Sequence, residues 1–170
     1  MKKILLPFLI ACVTAVAHAQ IISISKDSLY QRIMASEADY RVLYVFDDLC
    51  PCIMKTLPDV LELLKDNRNV ELFVVCGQPK KHVEHFIDKQ HVDCKYYGIN
   101  PKKGKWIDLG GYMNKTLDFF EKYFGVDTKK MGASALCILD RQGKTVAITT
   151  WETADEEYME LLSAAVAGRL

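Results

Sequence analysis

Apolar residues fall along this chain in runs of two different kinds. Residues 41–46 (Arg-Val-Leu-Tyr-Val-Phe) and 70–76 (Val-Glu-Leu-Phe-Val-Val-Cys) are short and nearly continuous, rich in β-branched and aromatic side chains. That is the pattern of strands buried on both faces. Between them, Ile53, Met54, Leu57, Val60, Leu61 and Leu64 recur every three or four positions, which predicts a helix over 51–65. A second helix is predicted over 79–90 with Val83, Phe86 and Ile87 inward, and an amphipathic one carrying Leu29, Ile33 and Met34 precedes the first strand. Residues 93–111 read as mixed and turn-rich, with Asn100-Pro101, Lys103-Gly104 and Gly110-Gly111. A helix over 114–124, ended by Gly125, follows. Strands 135–140 and 145–150, joined by Arg141-Gln142-Gly143, read as a hairpin. Thr153, with Glu156 three residues on, has the form of a capping box opening a C-terminal helix.

Strands that alternate with helices require a parallel sheet covered on both faces, and the closing hairpin adds an antiparallel edge. The expected class is therefore α/β: three layers, a central mixed sheet, helices on both sides, and a C-terminal hairpin plus helix. In such sheets chemistry gathers at the carboxyl ends of the central strands. The residues after Phe46 are the first place to look.

The N-terminus changes the effective length. Met1-Lys2-Lys3, the apolar run Ile4 to Val13 and Ala17-His18-Ala19 have the form of a secretory signal peptide over 1–19. Its apolar core is too short for a stable membrane span. Cleavage after Ala19 is expected to leave one domain over 20–170, with an insert at about 93–124. An alternative uses Leu9-Ile10-Ala11-Cys12 as a lipobox, with Cys12 carrying a lipid anchor. Either way the protein is expected in the periplasm or outside the cell, where thiols meet an oxidising environment.

Composition narrows the function classes. Of 170 residues, 50% are hydrophobic and 26% charged, as in a globular protein. Lys plus Arg and Asp plus Glu both number 22, and a chain without net positive charge is poorly suited to nucleic acid. The Lys95–Lys105 stretch, with Tyr96, Tyr97 and Trp106, is read as a solvated or protein-contact surface.

The candidate chemistry lies in Cys50-Pro51-Cys52. Cys50 is expected at a helix N-cap with Pro51 at the first helical position, where a missing N–H costs nothing. Unpaired backbone N–H groups and the positive end of the helix dipole stabilise a thiolate there, which makes a nucleophile at neutral pH. Cys52, in the same turn, is placed to act as the resolving thiol. A 50–52 disulfide would close a very small ring, and strain makes a disulfide easier to reduce. Such a pair favours oxidation or isomerisation of client thiols.

A buried strand, a cysteine at the strand-to-helix junction, and Pro58 eight residues after Cys50 together resemble the thioredoxin superfamily. Ala135-Leu136-Cys137-Ile138-Leu139-Asp140-Arg141-Gln142-Gly143-Lys144 is similar to that family's strand–turn–strand signature, and the element order matches over roughly 40–168. The resemblance, closest to exported redoxins, implies a thioredoxin-like sandwich that exchanges disulfides with client proteins and is recycled by a redox partner. It also implies client contacts at Ala133, Ser134 and Pro51. The family's second cysteine would fall at Ile53, so Cys52 stands one place early. Its cis-proline would fall at Ser134, where a cis bond costs about 3 kcal/mol and a trans bond is expected. No cofactor or metal is called for.

Other readings remain open. The cysteines could be structural in a catalytically silent binding module, or bind Cu(I) as paired soft thiolates. His82 and His85, with His91 and Cys94 nearby, could chelate a metal, but they lie among Lys80, Lys81, Glu84 and Asp88 as on a solvated helix face. Cys76 and Cys137 are expected on strands flanking 41–46, about 9–10 Å apart, as buried free thiols. Asp47 and Asp48 could accept a proton from the second thiol, though solvated loop acids are the preferred reading. Mass spectrometry of the exported protein is expected to find Gln20 at its N-terminus; a lipidated Cys12 there would establish the alternative.

Overall fold

The computed structural model of the chain describes residues 20–48, 50, 52–99 and 110–170, with backbone alone at 52–55 and 110–112. In order the elements are β1 (Gln20–Ile24), α1 (Lys26–Met34), β2 (Tyr40–Phe46), α2 (Cys52–Leu64), β3 (Val70–Cys76) and α3 (Lys80–Gln90). They continue with β4 (Lys95–Ile99), α4 (Gly110–Phe124), β5 (Leu136–Leu139), β6 (Thr145–Ile148) and α5 (Asp155–Val166). The strands form one sheet in the order β1-β4-β3-β2-β5-β6. The first four run parallel, and β5 and β6 are antiparallel to their neighbours.

Every residue of β2 is buried, as expected for a strand with a neighbour on each edge and helices on each face. Its side chains alternate between two cores. Val42, Tyr44 and Phe46 join Leu57, Val60, Val83, Phe86 and Leu162 beneath α2, α3 and α5. Leu43 and Val45 join Leu29, Ile33, Phe119 and Phe120 beneath α1 and α4. The mixed α/β sandwich expected from the sequence is the architecture present.

Four local expectations are corrected. Residues 95–99 are not a turn-rich connection but a strand between β1 and β3, with Tyr96, Tyr97 and Ile99 buried. Its apolar run is short, and Gly98 and the turn residues beyond it disguise the period. α4 begins at Gly110, a turn earlier than the apolar spacing indicated. Both hairpin strands end sooner than expected, at Leu139 and Ile148. The capping box is not formed: the N-cap of α5 is Ala154, with no side-chain hydrogen bond. Thr153 Oγ1 instead accepts from Thr150 N–H at 2.9 Å, closing the preceding turn.

The hairpin is tied to the start of the sheet by a buried cation. Arg41, 2% exposed, donates from Nη1 to Asp140 O at 2.5 Å and from Nη2 to Ser36 O at 2.7 Å and Arg141 O at 3.2 Å. Three carbonyls from two loops thus share one guanidinium. Asp140 Oδ1 accepts from the N–H groups of Gln142 and Lys144, and Gly143 supplies the positive φ of 83° that the turn needs. Replacing Arg41 with Leu leaves these carbonyls without their donor. We expect a loss of about 2–3 kcal/mol of unfolding free energy, read as a lower urea midpoint.

Candidate functional site

At the carboxyl end of β2 the chain turns at once. Cys50 N–H donates to Asp47 O at 3.1 Å, a turn-type bond that holds Cys50 back against the end of β2. The first helical residue is Cys52, which puts Cys50 two residues ahead of the helix rather than directly at its N-cap. Cys50 is half-buried, packs against the core beneath α2, α3 and α5, and is disulfide-bonded. Pro51 and the side chain of Cys52 lie outside the described residues.

The loop before β5 reaches the same end of the sheet because β5 runs antiparallel to β2. Ser134 N–H donates to Val45 O at 2.8 Å, and Val45 N–H donates to Ala135 O at 2.9 Å. Ala133 is half-buried and packs against the same core as Cys50. Among the described residues there is no cis peptide bond, so the bond before Ser134 is trans, as expected. Its φ is 69°, however, in the left-handed region, which costs a non-glycine residue roughly 1–2 kcal/mol.

Three hydroxyl groups hold Ser134 in place. Its Oγ accepts from Tyr44 Oη at 3.1 Å and from Thr56 Oγ1 at 3.0 Å, and those two oxygens are 2.8 Å apart. Its carbonyl accepts from Tyr158 Oη at 3.0 Å. The network joins β2, α2, the β5 entry loop and α5. Burial pushes the Tyr44 phenol up to about 12, against the opposing effect of its hydrogen bonds to Ser134 and Thr56. Sequence reasoning missed Tyr44, Thr56 and Tyr158. A usable signal was present at Tyr44, a phenol at an inward strand position, because a buried hydroxyl needs a partner.

Asp47 and Asp48 are not solvated loop acids, and that reading is corrected. Asp47 is buried and Asp48 half-buried. Gln78 Nε2 donates to an Oδ1 of each, at 2.5 Å in both cases. His82 Nδ1 stands 3.5 Å from Asp48 Oδ2. The cause is register: Phe46 pairs with Cys76 across the parallel β2 and β3. Residues 47–48 and 77–78 therefore emerge side by side, and one amide with two N–H donors serves two carboxylates. A pair of acids is held against the turn that presents Cys50.

Cys76, Cys94 and Cys137 are free. Cys76 and Cys137 are buried on strands flanking β2, as expected, and face opposite cores. Burial pushes all three thiols up to about 12. The histidines are not gathered: His82 faces Asp48, while His85 and His91 are exposed. Among the described residues no group of three or more His, Cys, Asp or Glu is arranged to hold a metal.

Solved structures with a similar fold include a thiol:disulfide interchange protein of the thioredoxin family from Chlorobium tepidum TLS. It is 12% identical, with a TM-score of 0.52 over 75% of this chain and 80% of that one. A thiol-disulfide isomerase from Corynebacterium glutamicum is 14% identical, with a TM-score of 0.51 over 78% and 83%. At these identities the likeness defines the fold, which is thioredoxin-like. No family model and no curated protein matches the sequence.

The raised thiols make two linked predictions. After mild reduction, iodoacetamide at pH 8 is expected to spare Cys76, Cys94 and Cys137 until denaturant is added. Between the ordinary thiol value of 9.0 and about 12 the folded chain keeps protons that the unfolded chain has lost. Stability is therefore full below about pH 9 and falls as pH rises toward 12. Urea midpoints should be flat to pH 8 and decline above 9; a flat profile to pH 11 would contradict the burial of these groups.

Proposed function

We propose that the chain is an exported thiol–disulfide oxidoreductase that exchanges disulfides with client proteins through Cys50 and Cys52. The observation that carries the reading is the disulfide-bonded, half-buried Cys50 at the carboxyl end of a central strand, at the sheet end that also holds the Ser134 loop. Cys76, Cys94 and Cys137 are all free, which favours Cys52 as the partner of Cys50. The free thiols are also too hard to ionise to compete as nucleophiles.

In the oxidising direction, a client thiolate attacks the sulfur of Cys50. The client–Cys50 bond forms, the bond from Cys50 to Cys52 breaks, and Cys52 leaves as a thiolate that takes up a proton. A second client thiolate then attacks the client sulfur of the mixed disulfide. It forms the client disulfide and releases Cys50 as a thiolate. Two electrons pass from the client to the cysteine pair, and a redox partner reoxidises it. Run in reverse, the Cys50 thiolate attacks a client disulfide and Cys52 resolves the mixed disulfide. The loop of Ala133 and Ser134, with Pro51, is where the client segment docks, on the half-buried Ala133 rather than on Ser134, whose N–H and carbonyl already bond Val45 and Tyr158. The signal peptide delivers the chain to the periplasm or beyond, where client thiols are oxidised.

Refolding of reduced ribonuclease and reduction of insulin test the reading. The wild-type chain is expected to accelerate at least one of them, Cys50→Ser to return it to background, and Cys52→Ser to accumulate a mixed disulfide with the client. Activity that survives Cys50→Ser would overturn the assignment, and inactivity in both assays would favour a silent binding module.

A further inference from the structure

A cavity of about 350 Å³ opens between α2 and α5, lined by Thr56, Asp59, Asp155, Glu156, Tyr158 and Met159. Two of these residues, Thr56 and Tyr158, also hold Ser134. The cavity therefore shares a wall with the network under the proposed client surface. It lies close to the cysteine motif along the chain as well: Thr56 is four residues after Cys52, a rise of roughly 6 Å along the helix.

The walls and the rim differ in chemistry. Tyr158 is buried and Met159 half-buried, giving an apolar floor. Asp59, Asp155 and Glu156 are exposed and form the rim. Asp59 and Glu156 carry the rim charge, and no cation is among the described residues that line the cavity. The start of α5 carries a partial positive charge of about half a unit, but Asp155, Glu156 and Glu157 fill its first turn and outweigh it.

We propose that this cavity is a specificity subsite that receives a lysine or arginine side chain of the client polypeptide, close to the client cysteine. The inference rests on the oxidoreductase reading and adds a substrate class to it. A long cationic side chain lays its methylenes on apolar surface and keeps its charged end in water or against carboxylates. Met159 and Tyr158 supply the first environment and the acidic rim the second. An acidic client side chain is repelled by the rim, and a purely apolar one leaves the rim unused. The volume lies near the lower end of the roughly 300–1,000 Å³ typical of ligand pockets, which suits one long side chain rather than a folded segment.

The test is a set of cysteine peptides presented as mixed disulfides with glutathione. Each carries lysine, norleucine or glutamate at one position within four residues of the cysteine. Their exchange with the reduced protein is followed at low and high salt. At the best position, lysine is expected to exchange roughly five- to tenfold faster than glutamate, with norleucine between and the spread shrinking at high salt. The double variant D59N/E156Q should draw the ratio toward one. The double variant D118N/E121Q, an equal change of charge at two exposed positions of α4 across the sheet, should leave it. Equal rates at every position overturn the subsite, as does a ratio that D59N/E156Q does not move. If no peptide exchanges at all, the oxidoreductase reading fails instead. Fluorescence anisotropy with the labelled lysine and glutamate peptides then decides the cavity separately: salt-sensitive preference for lysine supports it, and equal binding overturns it.

Discussion

Seven consecutive buried residues, Tyr40 to Phe46, fix the rest of this molecule. A strand enclosed on both faces and both edges has no freedom of register, because a slip of one residue would send each side chain to the opposite core. Val42, Tyr44 and Phe46 belong to one core, Leu43 and Val45 to the other. The pairing of Phe46 with Cys76 on one side and of Leu43 with Cys137 on the other follows from that enclosure. So does the point at which the chain leaves the sheet, and with it the location of Cys50.

Polar groups at that end are held by being buried together. Tyr44 and Ser134 lie within the protein, where a lone hydroxyl would lose its water without replacement. Each finds partners in the other and in Thr56, Tyr158 bonds the Ser134 carbonyl, and these bonds hold Ser134 at its positive φ. The carboxylates of Asp47 and Asp48 are likewise drawn together by the Gln78 amide. The result is a rigid, polar end to an otherwise apolar sheet.

The sequence carried the elements whose period is unbroken. β3 has the ends its apolar run indicates, and β2 and α2 fall within a residue or so of theirs. It failed at β4, where a five-residue strand containing Gly98 gives too few positions to distinguish a period of two from a turn. It also failed where one residue had two competing uses. Thr153 has the side chain of a cap, but its hydroxyl accepts from Thr150 N–H. Asp47 and Asp48 look like loop acids because composition cannot reveal that Gln78 emerges beside them.

Local chemistry determined that a cysteine motif follows a buried strand and precedes an amphipathic helix, since both patterns rest on the spacing of neighbours along the chain. Strand order decided everything that depends on residues far apart in sequence. It brought Ser134 to Tyr44 across ninety positions, Gln78 to Asp47 across thirty-one, and the acids of α5 to the cavity beside α2. Such meetings follow from packing helices and strands around two cores. No periodicity within a single segment encodes them.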